Sequence, residues 1–134
     1  MINSKVAVII VNWKKYDITS ICIESILNST NSNFKIILVD NESDNKKVKN
    51  FKHRDEIKII QNKKNEGFSK ANNIGIDYAL KNNYDYTILI NNDTIVEKNL
   101  IEVLLKTAQA KNFSVVQPLI LKYNGKEIWN AGGR

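Results

Sequence analysis

A chain of 134 residues is long enough for one compact domain with a buried core and too short for two. No apolar run approaches the roughly 18 to 20 residues of a membrane-spanning helix, and the N-terminal apolar run lacks the cleavage site of a signal peptide. The net charge of +6 comes mostly from lysines that are scattered along the chain, apart from a cluster within residues 46–54, and the single cysteine excludes an internal disulfide. These features favour a cytoplasmic protein with no nucleic-acid partner and, at most, a peripheral contact with the inner face of the membrane.

Five apolar runs at regular intervals predict five β-strands. VAVIIV, FKIILVD, IKIIQ, YTILIN and SVVQPLIL occupy residues 6–11, 34–40, 57–61, 86–91 and 114–121. The first, second and fourth runs are nearly continuous instead of alternating, which is typical of strands buried on both faces of a parallel sheet. Pro118 interrupts the fifth run, so we expect that strand to lie at an edge or to be broken there.

Three segments between these runs have the spacing of amphipathic helices. Apolar side chains recur every three to four positions in residues 17–28, 69–81 and 99–110, whereas residues 42–54 are polar and predict a short helix at best. Asp17 and Ser69 stand where they could cap the first two helices. The alternation of strands and helices predicts an α/β fold with right-handed crossovers, formed by a single domain over residues 1–134.

Polar residues follow four of the predicted strands. These segments begin at Asn12 after the first strand, at Asp40 after the second, at Asn62 after the third and at Asn91 after the fourth. Ligands of an open parallel sheet bind beyond the carboxyl ends of its strands, so four polar ends indicate one polar site. Taken singly, each has a simpler explanation, since Asp40 and Asn41 could cap a turn and Asp93 could cap the helix that follows it.

Four motifs, in this order and at these spacings, resemble those of a known enzyme family. They are VNWKKYDITSICIESIL, VDNESD, NEGFSKANNIGI and INNDT, which begin at residues 11, 39, 65 and 90. The set resembles family 2 glycosyltransferases of the GT-A fold, especially the rhamnosyltransferase-like members, and it extends over essentially the whole chain. The resemblance implies a GT-A-like (Rossmann-like), mostly parallel sheet flanked by helices. Because the sequence ends in Gly-Gly-Arg without a closing element, we expect a truncated, N-terminal donor-binding part of such an enzyme.

The resemblance also implies a site for the nucleotide of a sugar donor, with the ends of the first two strands at the base and ribose. A glycine at position 67 would let the backbone approach the ligand, and Gly75 would let its helix pack closely on the sheet. The residues assigned to the donor nucleotide in this way are Val11, Asn12, Trp13, Asp40, Asn41, Asn65, Gly67, Ala71, Asn72 and Asn92.

The tripeptide Asn91-Asn92-Asp93 stands where the family has its D-x-D metal motif. Only Asp93 matches the final, metal-binding carboxylate, and Asn91 replaces the first aspartate. The resemblance implies a hard divalent cation, Mg²⁺ or Mn²⁺, held by Asp93, by diphosphate oxygens and by water. With one carboxylate missing, we expect metal binding to depend on the nucleotide.

Members of this family are inverting enzymes, and the resemblance implies transfer from a UDP-, dTDP- or GDP-sugar to a hydroxyl of a glycan or lipid-linked glycan. Their general base comes from a later acidic motif. Glu127 is too early to match it, so we expect the base beyond residue 134 and an inactive or nearly inactive chain.

Two alternatives remain on the residues alone. A nucleotidyltransferase usually has a glycine-rich phosphate loop after its first strand, whereas NWKKYD contains no glycine. A non-catalytic nucleotide-binding α/β module is the other alternative, although the acidic pair of a receiver domain does not follow the first strand.

Overall fold

Four parallel strands form the main sheet of the protein. The structure is a computed structural model that describes residues 4–30, 33–42 and 45–132. The strands are β1 (Val6–Asn12), β2 (Phe34–Asn41), β3 (Ile57–Asn62) and β4 (Tyr86–Asn91). They lie in the order β3-β2-β1-β4 and every neighbouring pair is parallel, which confirms the predicted mostly parallel sheet.

Helices cover both faces of this sheet. They are α1 (Tyr16–Leu27), α2 (Asn45–Val48), α3 (Phe68–Lys81) and α4 (Leu100–Lys111), and a 3-10 turn at Lys49–Phe51 follows α2. Side chains of α1 and α4 join one apolar cluster with alternate residues of β1 and β2, and α3 forms a second cluster on the opposite face. The predicted flanking helices are thus confirmed. Within the described ranges, no helix has both the length and the apolar composition to cross a membrane.

The two inner strands form the core, and the prediction of burial on both faces holds for them. Residues 6–10 of β1 and 36–39 of β2 are completely buried. For β4 the same prediction is wrong, because β4 is an edge strand whose residues alternate between half-buried and exposed. Leu89 keeps 54% of its surface exposed, since α3 lies mainly over β1 and β2.

Neither predicted helix cap is formed. Helix α1 begins at Tyr16, so Asp17 lies inside its first turn, where a carboxylate still favours the helix dipole. Helix α3 begins at Phe68, and Gly67 occupies its N-cap position with φ of +80°, a conformation that glycine adopts without strain. Ser69 therefore belongs to the helix itself.

The fifth predicted strand, residues 114–121, does not join the main sheet. Only β5 (Ile120–Leu121) is a strand, and it pairs in antiparallel fashion with β6 (Ile128–Asn130), away from the four parallel strands. The strand begins after Pro118, in agreement with the expected break, because proline has no N–H for a ladder.

Gly75 lies where α3 crosses the sheet. A Cβ at this position would stand 2.6 Å from Ile9 Cγ2, so only glycine fits between the helix and β1 without displacing the core. The close packing expected at Gly75 is confirmed.

Candidate functional site

The carboxyl ends of the strands meet at a cavity of about 310 Å³. Its walls come from the ends of β1, β2 and β4, the loops that follow β1 and β3, the first residue of α3 and the residue after β4. The lining residues are Val11, Trp13, Lys15, Asn41, Asn65, Gly67, Phe68, Asn91 and Asn92.

The lining combines neutral amides with aromatic surface. Four asparagines stand in the wall, and Lys15 is the one charged lining residue among those described. Trp13 and Phe68 are 50% and 62% exposed, so both rings are free to contact a planar ligand. Because no described lining residue is a carboxylate, this wall does not repel an anionic ligand.

Asn41 organises the loop between β3 and α3. Its Nδ2 donates to Asn65 Oδ1 at 3.2 Å and to the Gly67 carbonyl at 3.3 Å. Its Oδ1 accepts from Asn62 Nδ2 at 2.8 Å and from the Glu66 N–H at 3.5 Å. Asn65 Oδ1 also accepts from the Gly67 N–H at 2.9 Å, which closes the loop on itself.

Asp40 faces the other side of the sheet, toward α1, because successive residues of a strand point to opposite faces. The side chain is completely buried, and its Oδ1 accepts from Asn12 Nδ2 at 2.7 Å and from the Tyr16 hydroxyl at 3.5 Å. Its Oδ2 has no hydrogen-bond partner in the described structure. Burial raises the pKa of this carboxyl, and the bonds from Asn12 and Tyr16 offset only part of the rise.

A chain of polar groups, buried up to the half-buried Asn92, connects Asp40 with the end of β4. From Asp40 it passes to Asn12, whose Oδ1 accepts from the Thr19 hydroxyl at 2.7 Å. Thr19 in turn accepts from Asn92 Nδ2 at 2.9 Å. The end of β2 and the residue beyond β4 are therefore held in one arrangement through α1.

The tripeptide at the end of β4 contributes two amides to the cavity wall and one exposed carboxylate beside it. Asp93 does not cap a helix, because α4 begins seven residues later at Leu100, with Asn99 in its N-cap position. Within the described residues, no group of three or more acidic, histidine or cysteine side chains could hold a metal ion. Oxygen donors of Asp93 and its neighbouring amides suit a hard cation, but further ligands are needed to complete its coordination.

Comparison with known protein families decides the identity of the chain. The family model described as "Glycosyl transferase family 2" matches residues 7–133. The chain belongs to glycosyl transferase family 2.

Curated relatives and solved structures agree with this membership. A low-salt glycan biosynthesis hexosyltransferase, Agl10 of Haloferax volcanii, is 29% identical over 120 residues, which cover 89% of this chain and 38% of the relative. Glycosyltransferase GlyG of Streptococcus pneumoniae is 33% identical over 83% of this chain and 36% of its own. The chain thus spans little more than a third of the length of these relatives.

Two solved glycosyltransferases share the fold. TarS 1-349 of S. aureus, in complex with UDP-GlcNAc, superposes with a TM-score of 0.71 at 17% identity, over 81% of this chain and 32% of that one. The mannosyltransferase PcManGT from Pyrobaculum calidifontis, in complex with GDP-Man and Mn²⁺, gives 0.69 at 12% identity, over 78% and 32%. The parallel sheet and its helices therefore have the GT-A fold.

The cavity brings together only part of the donor site expected for a family 2 glycosyltransferase. The expected residues that line it are Val11, Trp13, Asn41, Asn65, Gly67 and Asn92. Asn12 and Asp40 lie under α1, while Ala71 is buried in the α3 cluster and Asn72 donates to the Phe68 carbonyl. Ser43 and Asp44, at the end of the VDNESD motif, lie outside the described residues.

Sequence reasoning did not single out three residues that the geometry brings into the site. Lys15 and Phe68 line the cavity, and Thr19 connects Asn12 with Asn92. Lys15 and Phe68 belong to the motifs that begin at residues 11 and 65, but their residue types alone did not distinguish them from their neighbours. Thr19 has a polar signal that could have been found, because it is a hydroxyl residue on the otherwise apolar face of α1.

A second cavity, of about 270 Å³, lies between α1 and the α2 region. Its wall contains opposite charges, and Arg54 closes part of it through an ion pair with Glu24 at 2.7 Å. This second cavity is a weaker candidate than the amide-lined cavity. Both side chains of the ion pair are exposed, and no strand end is among the described lining residues.

Proposed function

We propose that this chain is the donor-binding part of an inverting glycosyltransferase that takes a sugar from a nucleoside diphosphate. The observation that carries the proposal is the amide-lined cavity at the carboxyl ends of β1, β2 and β4 in a member of family 2. Relatives of the same fold bind UDP-GlcNAc or GDP-Man in their solved complexes, which supports a nucleotide-sugar ligand. Family membership favours this function over nucleotidyl transfer.

Different residues of the cavity contact different parts of the donor. Trp13 and Phe68 offer exposed aromatic surface to the planar base, and the Asn65 amide nitrogen offers a polar contact at its edge. The missing side chain at Gly67 leaves open space for the ligand to approach the backbone. Lys15, in the loop after β1, supplies the positive charge that suits a diphosphate. The polar chain from Asp40 to Asn92 fixes the end of β2 and the residue beyond β4 relative to each other.

Asp93, with Asn91 beside it, would hold the Mg²⁺ or Mn²⁺ together with oxygens of the donor. When bound, such a cation neutralises charge on the departing nucleoside diphosphate. The single carboxylate explains why we expect the nucleotide to be needed for tight metal binding.

Transfer with inversion requires an acceptor hydroxyl to attack the anomeric carbon from the side opposite the nucleotide, with loss of its proton to a base. Glu127 does not serve, because it is exposed in the β5–β6 hairpin and pairs with Lys122. The general base is thus proposed to lie outside these residues, and this chain alone binds donor without transferring sugar. The acceptor is a hydroxyl of a glycan or lipid-linked glycan, and residues 1–134 act as one cytoplasmic unit.

Thermal unfolding against UDP, dTDP, GDP and CMP, each with and without MnCl₂, tests the proposal. A ligand at one hundred times its dissociation constant adds about 2.7 kcal/mol to the free energy of unfolding. We expect stabilisation by one diphosphate, increased by Mn²⁺.

Asp93→Ala should remove the part of the stabilisation that depends on Mn²⁺. The matched control is Asp77→Ala, which deletes an exposed carboxylate of α3 outside the cavity. A wild-type chain that no nucleotide stabilises, or an Asp93→Ala variant that keeps the full effect of Mn²⁺, would contradict the proposed donor site.

A further inference from the structure

All hydrogen-bonding groups of the Asn41 side chain are directed at protein partners, the longest contact being 3.5 Å from the Glu66 N–H. A carboxamide has two N–H donors and two carbonyl lone pairs. In this structure the donors go to Asn65 Oδ1 and the Gly67 carbonyl, and the lone pairs accept from Asn62 Nδ2 and the Glu66 N–H. The residue is also only 2% exposed, although it stands at the cavity wall.

A residue that reads the edge of a base needs a free donor or acceptor directed at it, and Asn41 has neither. We propose that Asn41 is a positioning residue that holds the loop of residues 63–67 against the end of β3, and that it does not itself recognise the base. This inference rests on the proposed donor site. It assigns the contact with the base to groups of the loop between β3 and α3. By occupying Asn65 Oδ1, Asn41 leaves the amide nitrogen of Asn65 as the group available to the ligand.

The substitution Asn41→Asp separates positioning from recognition because it preserves shape and acceptors but removes both donors. The ionised carboxylate of this variant would face two acceptor oxygens, Asn65 Oδ1 and the Gly67 carbonyl, that receive the two N–H groups in the wild type. The loop would lose both contacts. We expect the dissociation constants of UDP and GDP, measured by calorimetry with MnCl₂, to rise about tenfold or more at about pH 8 for whichever binds the wild type.

The pH dependence gives a second signature. In the variant the facing oxygens favour the neutral carboxyl, so its pKa lies above the ordinary value of about 3.9. The protonated group regains one O–H donor, and the affinity relative to wild type should recover as the pH is lowered from about 8 to about 5. If Asn41 instead accepted a hydrogen bond from the base, the ionised variant would bind at least as tightly as wild type and would weaken on acidification.

Trypsin provides a readout that needs no nucleotide. Lys63 and Lys64 are exposed within the loop, and cleavage after them requires the loop to open locally. We expect cleavage there to be about tenfold faster in Asn41→Asp, while cleavage after Lys122 and Lys126, in the exposed hairpin, keeps its wild-type rate as an internal standard.

The matched control is Asn73→Asp, the same change of charge on the exposed side of α3, which should alter neither affinity nor cleavage. Wild-type cleavage at Lys63 and Lys64 in Asn41→Asp would overturn the positioning role, whether or not nucleotide binds. Failure of the wild type to bind UDP or GDP, combined with faster loop cleavage in the variant, would instead reject the donor site and keep the positioning role.

Discussion

At the scale of single residues, the Thr19 hydroxyl connects two polar side chains of the site, Asn12 and Asn92. Its hydroxyl bonds Asn12 at 2.7 Å and Asn92 at 2.9 Å, and the side chain is completely buried. Thr19→Val keeps the shape but leaves both amides without this partner, at a cost of about 1 to 3 kcal/mol. Urea unfolding should show this loss, and Thr19→Ser should restore most of it. A valine variant as stable as wild type would mean that the polar chain does not contribute to stability.

Asp40 makes stability depend on pH. Because burial raises the pKa of its carboxyl in the folded state, the folded protein takes up a proton before the unfolded chain does. Wild type should therefore gain stability relative to Asp40→Asn as the pH falls through the folded-state pKa, and the gain is complete below the unfolded value of about 3.9. Urea unfolding of both proteins at several acidic pH values gives the difference. A relative loss of stability on acidification would mean that the hydrogen bonds to Asp40 outweigh its burial.

Asp40 and Asn41 also show which part of the site the sequence predicts. The four polar strand ends predicted one polar site at an edge of the sheet, and an amide-lined cavity lies at that edge. The direction of each side chain was beyond prediction, because β2 is apolar on both faces and no alternation reveals which residues face α1 and which face α3. From the sequence, Asp40 and Asn41 were therefore both assigned to the donor nucleotide. In the structure Asp40 lies under α1, whereas Asn41 supports the loop between β3 and α3.

At the scale of elements, the contact between α3 and β1 depends on the missing side chain of Gly75. Gly75→Ala improves helix propensity by about 1 kcal/mol, but the added methyl group meets Ile9 Cγ2 at 2.6 Å inside a fully buried strand. Overpacking costs about 1 to 3 kcal/mol, so we expect a net loss of about 1 kcal/mol in urea unfolding. Asn73→Ala, on the exposed side of the same helix, is the control that should not destabilise. An unchanged or stabilised Gly75→Ala would show that the core yields at this contact.

Helices and strands were predicted correctly where their apolar pattern was long and they packed against elements nearby in the sequence. The inner strands and the three amphipathic helices agree with their predicted positions to within one or two residues. The errors concern the outer parts of the fold: β4 is exposed on one face and residues 114–119 form no strand. An apolar run records the capacity for burial, but actual burial depends on which other elements cover the strand, and this is a tertiary property.

At the scale of the whole molecule, the segment after α4 stands apart from the sheet. Hydrogen bonds of residues 120–132 are made within that segment, and its large apolar side chains, such as Tyr123 and Trp129, are mostly exposed. We expect a chain ending at Phe113 to unfold in urea with a free energy within about 1 kcal/mol of the full chain. Phe113 is retained because its N–H closes α4 on the Ala108 carbonyl. A larger loss would show that the hairpin packs on the sheet in solution.

The strand order has a consequence for how the protein is made. Of the four parallel strands, β1 is made first but lies in the middle of the sheet, and its second neighbour is complete only when Asn91 has been added. At about 5 to 20 residues per second, translation of the intervening chain takes roughly 4 to 16 s. During that interval one edge of the most apolar strand has no partner. Until β4 is added, the unpaired edge of β1 is therefore the part of the nascent sheet most open to pairing with a wrong strand.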